Sequence, residues 1–368
     1  MVPGAMIVPL GSLTETLIGA RGGSGGMCTV WSVHSEPPGY TLPITRVQAL
    51  LDVAARRGWD VASMMGEAGI SVDLLAQGRA RVTLEQITIL FRRLWRTTDD
   101  ELLGFGLRPM PLGTFRLLCF GLISAPTLRA AIQRAKTFRR SLPGLPPIEL
   151  VEAGAEARLE FDISAVAAPI DVLVDVLLVS SHRYLAWILG QRMPLRRVEV
   201  PYPAGPDNGD YDLVFGTPMR FSAPRPALVF ATDLLDAPLV RDEDELVTFL
   251  SDLPAAVLTR TGTITTVTGR VRRLLERGLT GAWPSVDDLA AELAMSPQTL
   301  RRKLREEGTS SREIKERIMR DAAVTSLVRG EETIAALSRR LGFSEPSAFS
   351  RAFSRWTGDP PSAYQRRQ

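Results

Sequence analysis

The chain has 368 residues, 45% hydrophobic and 23% charged, a length beyond what one core serves and a balance that excludes a disordered or fibrous protein. Its net charge of +3 is unevenly spread: from Gly262 onward basic residues outnumber acidic ones 19 to 13, while the remainder is acidic, 25 basic to 28 acidic. An anion-binding surface is therefore expected toward the C-terminus, with an affinity that falls as salt rises.

Residues 1–40 are rich in Gly, Ser and Thr around Gly22-Gly23-Ser24-Gly25-Gly26. Such a stretch buries too little apolar surface to offset its ordering entropy, so disorder is expected there. From Leu42 a helical pattern begins, with Val47, Leu50, Leu51 and Ala54 on one stripe and Gly58 as a stop. Segments 84–95 and 127–138 have the same character. Residues 148–163 alternate, with Leu159, Phe161 and Ile163 predicted inward and Arg158, Glu160 and Asp162 outward, a hairpin about Gly154. A long apolar helix is predicted over 169–189, and strands at 198–200 and 227–230 are expected to pair with the hairpin. The acidic stretch 241–245 leads into one more helix. Thr- and Gly-rich residues 259–268 mark a domain junction.

Beyond it two helix pairs follow one another. Ser285 is placed to cap a short helix carrying Val286, Leu289, Ala290 and Leu293, with Asp288 at its third position; Ala294-Met295 makes a turn. Ser296 caps a second helix with Pro297 at its first position, Leu300 and Leu304 inward, and Gln298, Arg301, Arg302 and Arg305 outward. The pattern returns 48 residues later, from Val286 to Ile334. There Thr333 caps Ile334, Leu337 and Leu341, Gly342-Phe343 turns, and Ser344 is expected to cap a helix with Phe349 and Phe353 inside and Ser347, Ser350 and Arg351 outside. Small residues Ala290 and Ser338 match where helices must cross closely. A predicted helix over 311–328, buried through Ile314, Ile318, Ala322 and Leu327, spans roughly 27 Å at 1.5 Å per residue, close to one turn of DNA. Two such units on a rigid spacer can enter successive major grooves on one face of a duplex.

These residues resemble the AraC/XylS family of bacterial regulators over about 270–367. The likeness rests on Leu289-Ala290, Ser296-Pro297-Gln298-Thr299-Leu300, Ile334-Ala335, Leu341-Gly342-Phe343-Ser344, Phe349-Ser350-Arg351-Ala352-Phe353, Gly358, Pro360-Pro361 and Tyr364. Ser311-Arg312 departs from it, where members commonly carry an aromatic residue. Residues 42–250 resemble the arabinose-binding-type N-terminal domain of a subgroup through Gly66-Glu67-Ala68-Gly69-Ile70, Gly113-Thr114-Phe115, Ser124-Ala125-Pro126-Thr127-Leu128, Phe215-Gly216-Thr217-Pro218 and Arg220-Phe221.

The expected organisation is a disordered 1–40, an α+β N-terminal effector or oligomerisation domain over 41–250, a linker over 251–268 and an all-α DNA-binding domain with two helix-turn-helix units over 269–368. The expected DNA contacts are Ser296, Gln298, Thr299, Arg301, Arg302 and Arg305 in the first unit and Ser347, Ser350 and Arg351 in the second. His182, Arg183, Tyr184 and Trp187, on one apolar helix, are candidates to line an effector pocket, since polar groups there need partners. The resemblance implies an activator that contacts RNA polymerase, a small-molecule effector of unstated identity and, as an alternative partner, a second copy of the chain. A fragment from Gly262 onward is expected to keep specific binding.

Other chemistries fit poorly. The glycine run formally matches a nucleophile elbow, but no strand, helix or later Asp and His provide its context. Cys28, Cys119, His34 and His182 lack metal-site spacing, so no metal or cofactor is expected, and an alkyl-transfer repair protein would need metal-held cysteines. No run of eighteen uncharged apolar residues or export signal is present, so a cytoplasmic, non-enzymatic protein without a membrane span is expected.

Overall fold

The computed structural model describes residues 41–76, 78–166, 171–205, 215–256, 266–279 and 282–365; segment 1–40, with its glycine run, Cys28 and His34, lies outside them. Strands β1 (Thr41–Pro43) and β2 (Arg81–Thr83) pair antiparallel, with Leu42 opposite Val82. Between them run α1 (Ile44–Arg56) and α2 (Val61–Glu67). α1 buries the stripe Val47, Leu50, Leu51 and Ala54, and Gly58 past its end has φ 73°, a conformation that favours glycine. α3 (Leu84–Thr98) opens on a reciprocal capping box between Thr83 and Gln86. α4 (Thr114–Ile123) and α5 (Leu128–Phe138) follow, the latter capped by Thr127.

The hairpin forms about Gly154, between β3 (Ile148–Ala153) and β4 (Glu156–Phe161). It is one edge of a five-stranded sheet of order β3-β4-β7-β5-β6, completed by β5 (Leu195–Glu199), β6 (Met219–Arg220) and β7 (Ala227–Ala231). Neighbours are antiparallel except β5 and β6. Leu159 and Phe161 face inward and share a core with Leu178, Leu185 and Ile188 of α6 (Asp171–Ile188). α7 (Glu243–Ala256) begins within the acidic stretch, with Glu243, Asp244 and Glu245 in its first turn. Because it continues to Ala256 and α8 (Val267–Glu276) is already capped by Thr266, both ends of the expected 251–268 linker are helical; 257–265 lie outside the described residues.

The described C-terminal residues are helical: α9 (Val286–Glu292), α10 (Pro297–Glu306), α11 (Ser311–Arg329), α12 (Ile334–Arg340) and α13 (Pro346–Thr357). Ser285, Ser296 and Thr333 cap as expected. Ser344 does not: α13 starts after Glu345, which makes no side-chain cap. Proline tolerates only the first turn of a helix, and here it stands at 346, one place later than the repeat of Pro297 requires. The helix start moves with it.

Two larger departures concern the cores. Residues 41–250 do not share one core. Leu42, Val82 and Leu90 belong to the same hydrophobic cluster as Val271, Leu300, Leu327 and Phe353, whereas the sheet, α5 and much of α6 form a second. The boundary between packing units thus runs inside the expected N-terminal domain. Likewise α11 is not buried on one side alone: Ile318, Met319 and every residue from Asp321 to Leu327 are buried. A helix enclosed all round needs neighbours on every face, and β1 and β2 supply one of them.

Candidate functional site

The two helix-turn-helix units repeat at the level of single hydrogen bonds. Met295 N donates to Ala290 O at 2.9 Å and Phe343 N to Ser338 O at 3.0 Å; Ala294 N donates to Ala291 O and Gly342 N to Arg339 O, both at 3.0 Å. Ala294 and Gly342 both have positive φ, 53° and 84°. Past the turns the repeat lengthens by one residue, because of Pro346, so buried Leu300 and Leu304 match buried Phe349 and Phe353. Gln298, Arg301 and Arg302 accordingly match Ser347, Ser350 and Arg351.

The nine expected DNA-contact residues lie on α10 and α13 or at their starts, but they are not equally free. Ser296 Oγ accepts from Thr299 N at 3.1 Å and bonds Thr299 Oγ1 at 2.8 Å, which commits both side chains to the cap. Arg302 pairs with Glu306 at 2.6 Å. Ser347 donates to Glu345 at 3.1 Å and Ser350 to Pro346 O at 2.9 Å. Gln298, Arg301, Arg305 and Arg351 are exposed and make no side-chain bond among the described residues. Gln298, Arg301 and Arg305 are spaced by three and four residues, which places them on one face of α10, turned away from the face of Leu300 and Leu304. Arg339, exposed at the end of α12, adds positive charge that the helix-pair pattern does not mark.

The spacer helix is anchored by a buried carboxylate. Asp321 Oδ1 accepts from Thr41 Oγ1 at 2.6 Å and from Arg320 Nη2 at 3.0 Å, and Oδ2 accepts from Arg272 Nη2 at 3.0 Å. Arg81 Nη2 lies 3.8 Å from Oδ1 and donates to Thr41 O at 2.6 Å, while Arg81 N donates to Tyr364 Oη at 3.0 Å. Burial alone would raise the Asp321 pKa, but the Arg320, Arg81 and Arg272 guanidiniums outweigh it and hold the carboxyl below its ordinary value. At the other end of the domain the Glu307 carboxylate accepts from Val267 N at 2.9 Å and Thr268 N at 2.7 Å, which caps α8 from the end of α10.

The four candidate effector residues are dispersed. His182 is buried, its Nε2 2.8 Å from Met193 O, and burial pushes its pKa down to about 4. Burial also lowers Arg183 to about 10. Trp187 stacks on Phe249 at 4.5 Å between centroids. None of these three lines the large cavity of the N-terminal region, a space of about 420 Å³. Tyr184 does, with its hydroxyl donating to Cys119 O at 2.8 Å. The other walls come from α3 (Phe91, Trp95), α4 (Phe115) and β4 (Leu159, Phe161), elements far apart in the chain. A pattern confined to one helix could not have found them. Among the described residues no cluster of His, Cys, Asp or Glu could hold a metal ion, and no helix is long and apolar enough to cross a membrane.

Two family models match the chain: the arabinose-binding domain of AraC transcription regulator, N-terminal, over residues 58–239, and a helix-turn-helix domain over 289–367. An HTH-type transcriptional regulator of Mycobacterium tuberculosis is 28% identical over 342 residues, 91% of this chain and 99% of the relative. The ornithine utilization regulator of Pseudomonas aeruginosa is 25% identical over 336 residues, 90% of this chain and 98% of its own. The solved structure of the transcriptional regulator CdpR from Pseudomonas aeruginosa is similar over 87% of this chain and 97% of CdpR, at 22% identity and a TM-score of 0.29. The matched domains and relatives are those of transcriptional regulators, not of enzymes.

Proposed function

From a chain that belongs to the AraC family of transcriptional regulators, with both of its characteristic domains, we propose a promoter-binding activator that places α10 and α13 in successive major grooves and answers to a small molecule held by the N-terminal region. The observation that carries the DNA contact is the set of unpartnered, exposed side chains Gln298, Arg301, Arg305 and Arg351 on two units whose turns repeat bond for bond. Arg suits the guanine edge and Gln the adenine edge. α11, at 19 residues, spans roughly 28 Å, near the 34 Å repeat of the duplex. One chain can therefore fill two adjacent turns, and a second copy joined through the N-terminal region would add avidity rather than create recognition. Activation through RNA polymerase follows from the family.

Footprinting of the full chain on the DNA upstream of its own gene and of neighbouring operons tests it. Protection over two consecutive turns, with the logarithm of the affinity falling linearly in the logarithm of salt concentration, is the expected result. Binding that prefers no upstream site over random DNA would overturn it.

A further inference from the structure

We propose that the cavity bounded by α3, α4, α5, α6 and the β3–β4 hairpin binds a small molecule with an apolar body and a single polar end, and neither a sugar nor a free amino acid. This rests on the reading that the N-terminal region takes an effector, and it names the chemistry of that effector. At about 420 Å³ the space has the size of a ligand site, and its walls are apolar: Phe91, Trp95, Phe115, Phe161, Leu122 and Leu185 all face it.

The polar groups that reach the cavity are few, and most are already committed. Both Glu101 carboxylate oxygens accept backbone hydrogen bonds, from Gly113 N and Phe115 N, each at 2.8 Å, and hold the start of α4. Thr88 Oγ1 donates to Leu84 O at 2.8 Å, and Tyr184 Oη to Cys119 O. That leaves the Ser180 and Ser181 hydroxyls and the Arg116 guanidinium, which lies exposed over the Phe120 ring at 5.6 Å, without an ion pair among the described residues. A pentose would bring four hydroxyls, and an amino acid an ammonium for which the lining offers one carboxylate, Glu101, whose two oxygens already hold the start of α4. Each polar group buried without a partner weakens binding by about tenfold or more. An alkyl or aryl body with one acceptor end directed at Arg116 leaves none stranded.

Position adds a consequence. Phe91 and Trp95 lie on α3, which follows β2 directly, and β2 carries Arg81 against Asp321 of the spacer helix. A ligand between α3 and the sheet therefore touches both packing units.

The test is calorimetric titration of the full chain with decanoate, 1-decanol, L-arabinose and L-ornithine, alongside DNA affinity with and without each. Decanoate and decanol are expected to bind one to one, and the sugar and amino acid not at all. Ala135→Phe, which fills the cavity, should weaken both alkyl probes at least about tenfold; should that variant unfold, Arg116→Ala, at an exposed site, should weaken decanoate by about tenfold and leave decanol unchanged. Alkyl binding that no cavity variant alters, or no alkyl binding, overturns the proposal. Binding of arabinose or ornithine in place of the alkyl probes overturns the ligand class and leaves effector control standing. Alkyl binding that responds to the variants yet leaves DNA affinity unchanged upholds the ligand class and removes effector control.

Discussion

Arg81 and Asp321 face each other at 3.8 Å, the first 2% exposed and the second 1%, one on β2 and the other on the helix that spaces the two DNA-binding units. Burying such a pair is tolerable only while its partners are complete. Asp321→Ala would leave Arg81, Arg272 and Arg320 mutually repelling in a dry site, with an expected loss of about 3–5 kcal/mol in urea unfolding of the full chain. A loss under about 1 kcal/mol would mean that water already reaches the site. For the same reason a fragment from Gly262 onward lacks Thr41, Arg81 and the β1–β2 cover of α11. It should unfold at lower urea than the same helices in the full chain, even where it keeps specific binding.

Ala294 and Gly342 occupy matching turns with φ of 53° and 84°. An L side chain in that region is strained, whereas glycine is not. Gly342→Ala should destabilise by about 1 kcal/mol, a purely conformational effect, since a Cβ there would meet nothing within 4 Å. Ala294→Gly should be neutral or stabilising by up to about 1 kcal/mol, because relief of strain opposes the entropy gained by the unfolded chain. Denaturant midpoints of the two variants moving in the same direction would refute the argument.

Ser338 is fully buried and its hydroxyl has no partner among the described residues, and the matching residue of the first unit is Ala290. Removing an unsatisfied hydroxyl from an apolar crossing relieves its desolvation. Ser338→Ala should therefore stabilise by up to about 1 kcal/mol, read as a rise in melting temperature. A clear fall would show that the hydroxyl finds a bond in solution.

Arg301 and Arg302 are neighbours with different prospects, because only Arg302 is held by Glu306. Arg301→Ala should weaken specific binding by about 1–3 kcal/mol and relax preference at one base pair. Arg302→Ala should weaken all sequences alike and reduce the salt slope by about 1, as a phosphate contact does. Anisotropy titrations on single-base variants of the site separate these outcomes, and an exchange of the two signatures would reverse the assignment.

His182 offers a pH signature. Folding pushes its pKa from 6.5 down to about 4 by burial, so between those values the unfolded chain holds the extra proton. The stability that neutral His182 contributes is complete above about pH 6.5 and is lost as pH falls toward 4, by up to about 3 kcal/mol. His182→Gln keeps a donor for Met193 O and cannot titrate. The stability of wild type relative to this variant should thus fall between about pH 7 and pH 4.5; parallel pH profiles would exclude the imidazole as their cause.

Local chemistry makes the elements legible in the sequence. Caps at Thr127, Ser285, Ser296 and Thr333, the stop at Gly58 and the hairpin at Gly154 are each decided by a residue and its immediate neighbours. α4 escaped a periodic reading because Phe115, Leu118, Phe120 and Leu122 surround it. The cap at Ser344 failed because a single proline outranks a hydroxyl. What could not be read was any partnership across the chain: Thr41, Arg81 and Tyr364 carry no mark of their meeting around Asp321, and the cavity draws its walls from elements far apart in the sequence. Of the expected effector residues only Tyr184 reaches that cavity, since an apolar helix announces its burial but not which neighbour it is buried against.

The hydrogen bond from Thr41 to Asp321 joins residues 280 positions apart. On a ribosome adding about 5–20 residues per second, the first strand emerges roughly 15–60 s before the carboxylate that completes its surroundings. Throughout that interval the β1–β2 pair, Arg81 included, has no final home. Vectorial synthesis therefore cannot finish the N-terminal part of this regulator first. Its two ends mature together, once Asp321 has emerged, and a nascent polypeptide stalled before Asp321 would present Leu42 and Val82 to the chaperones that hold incomplete domains.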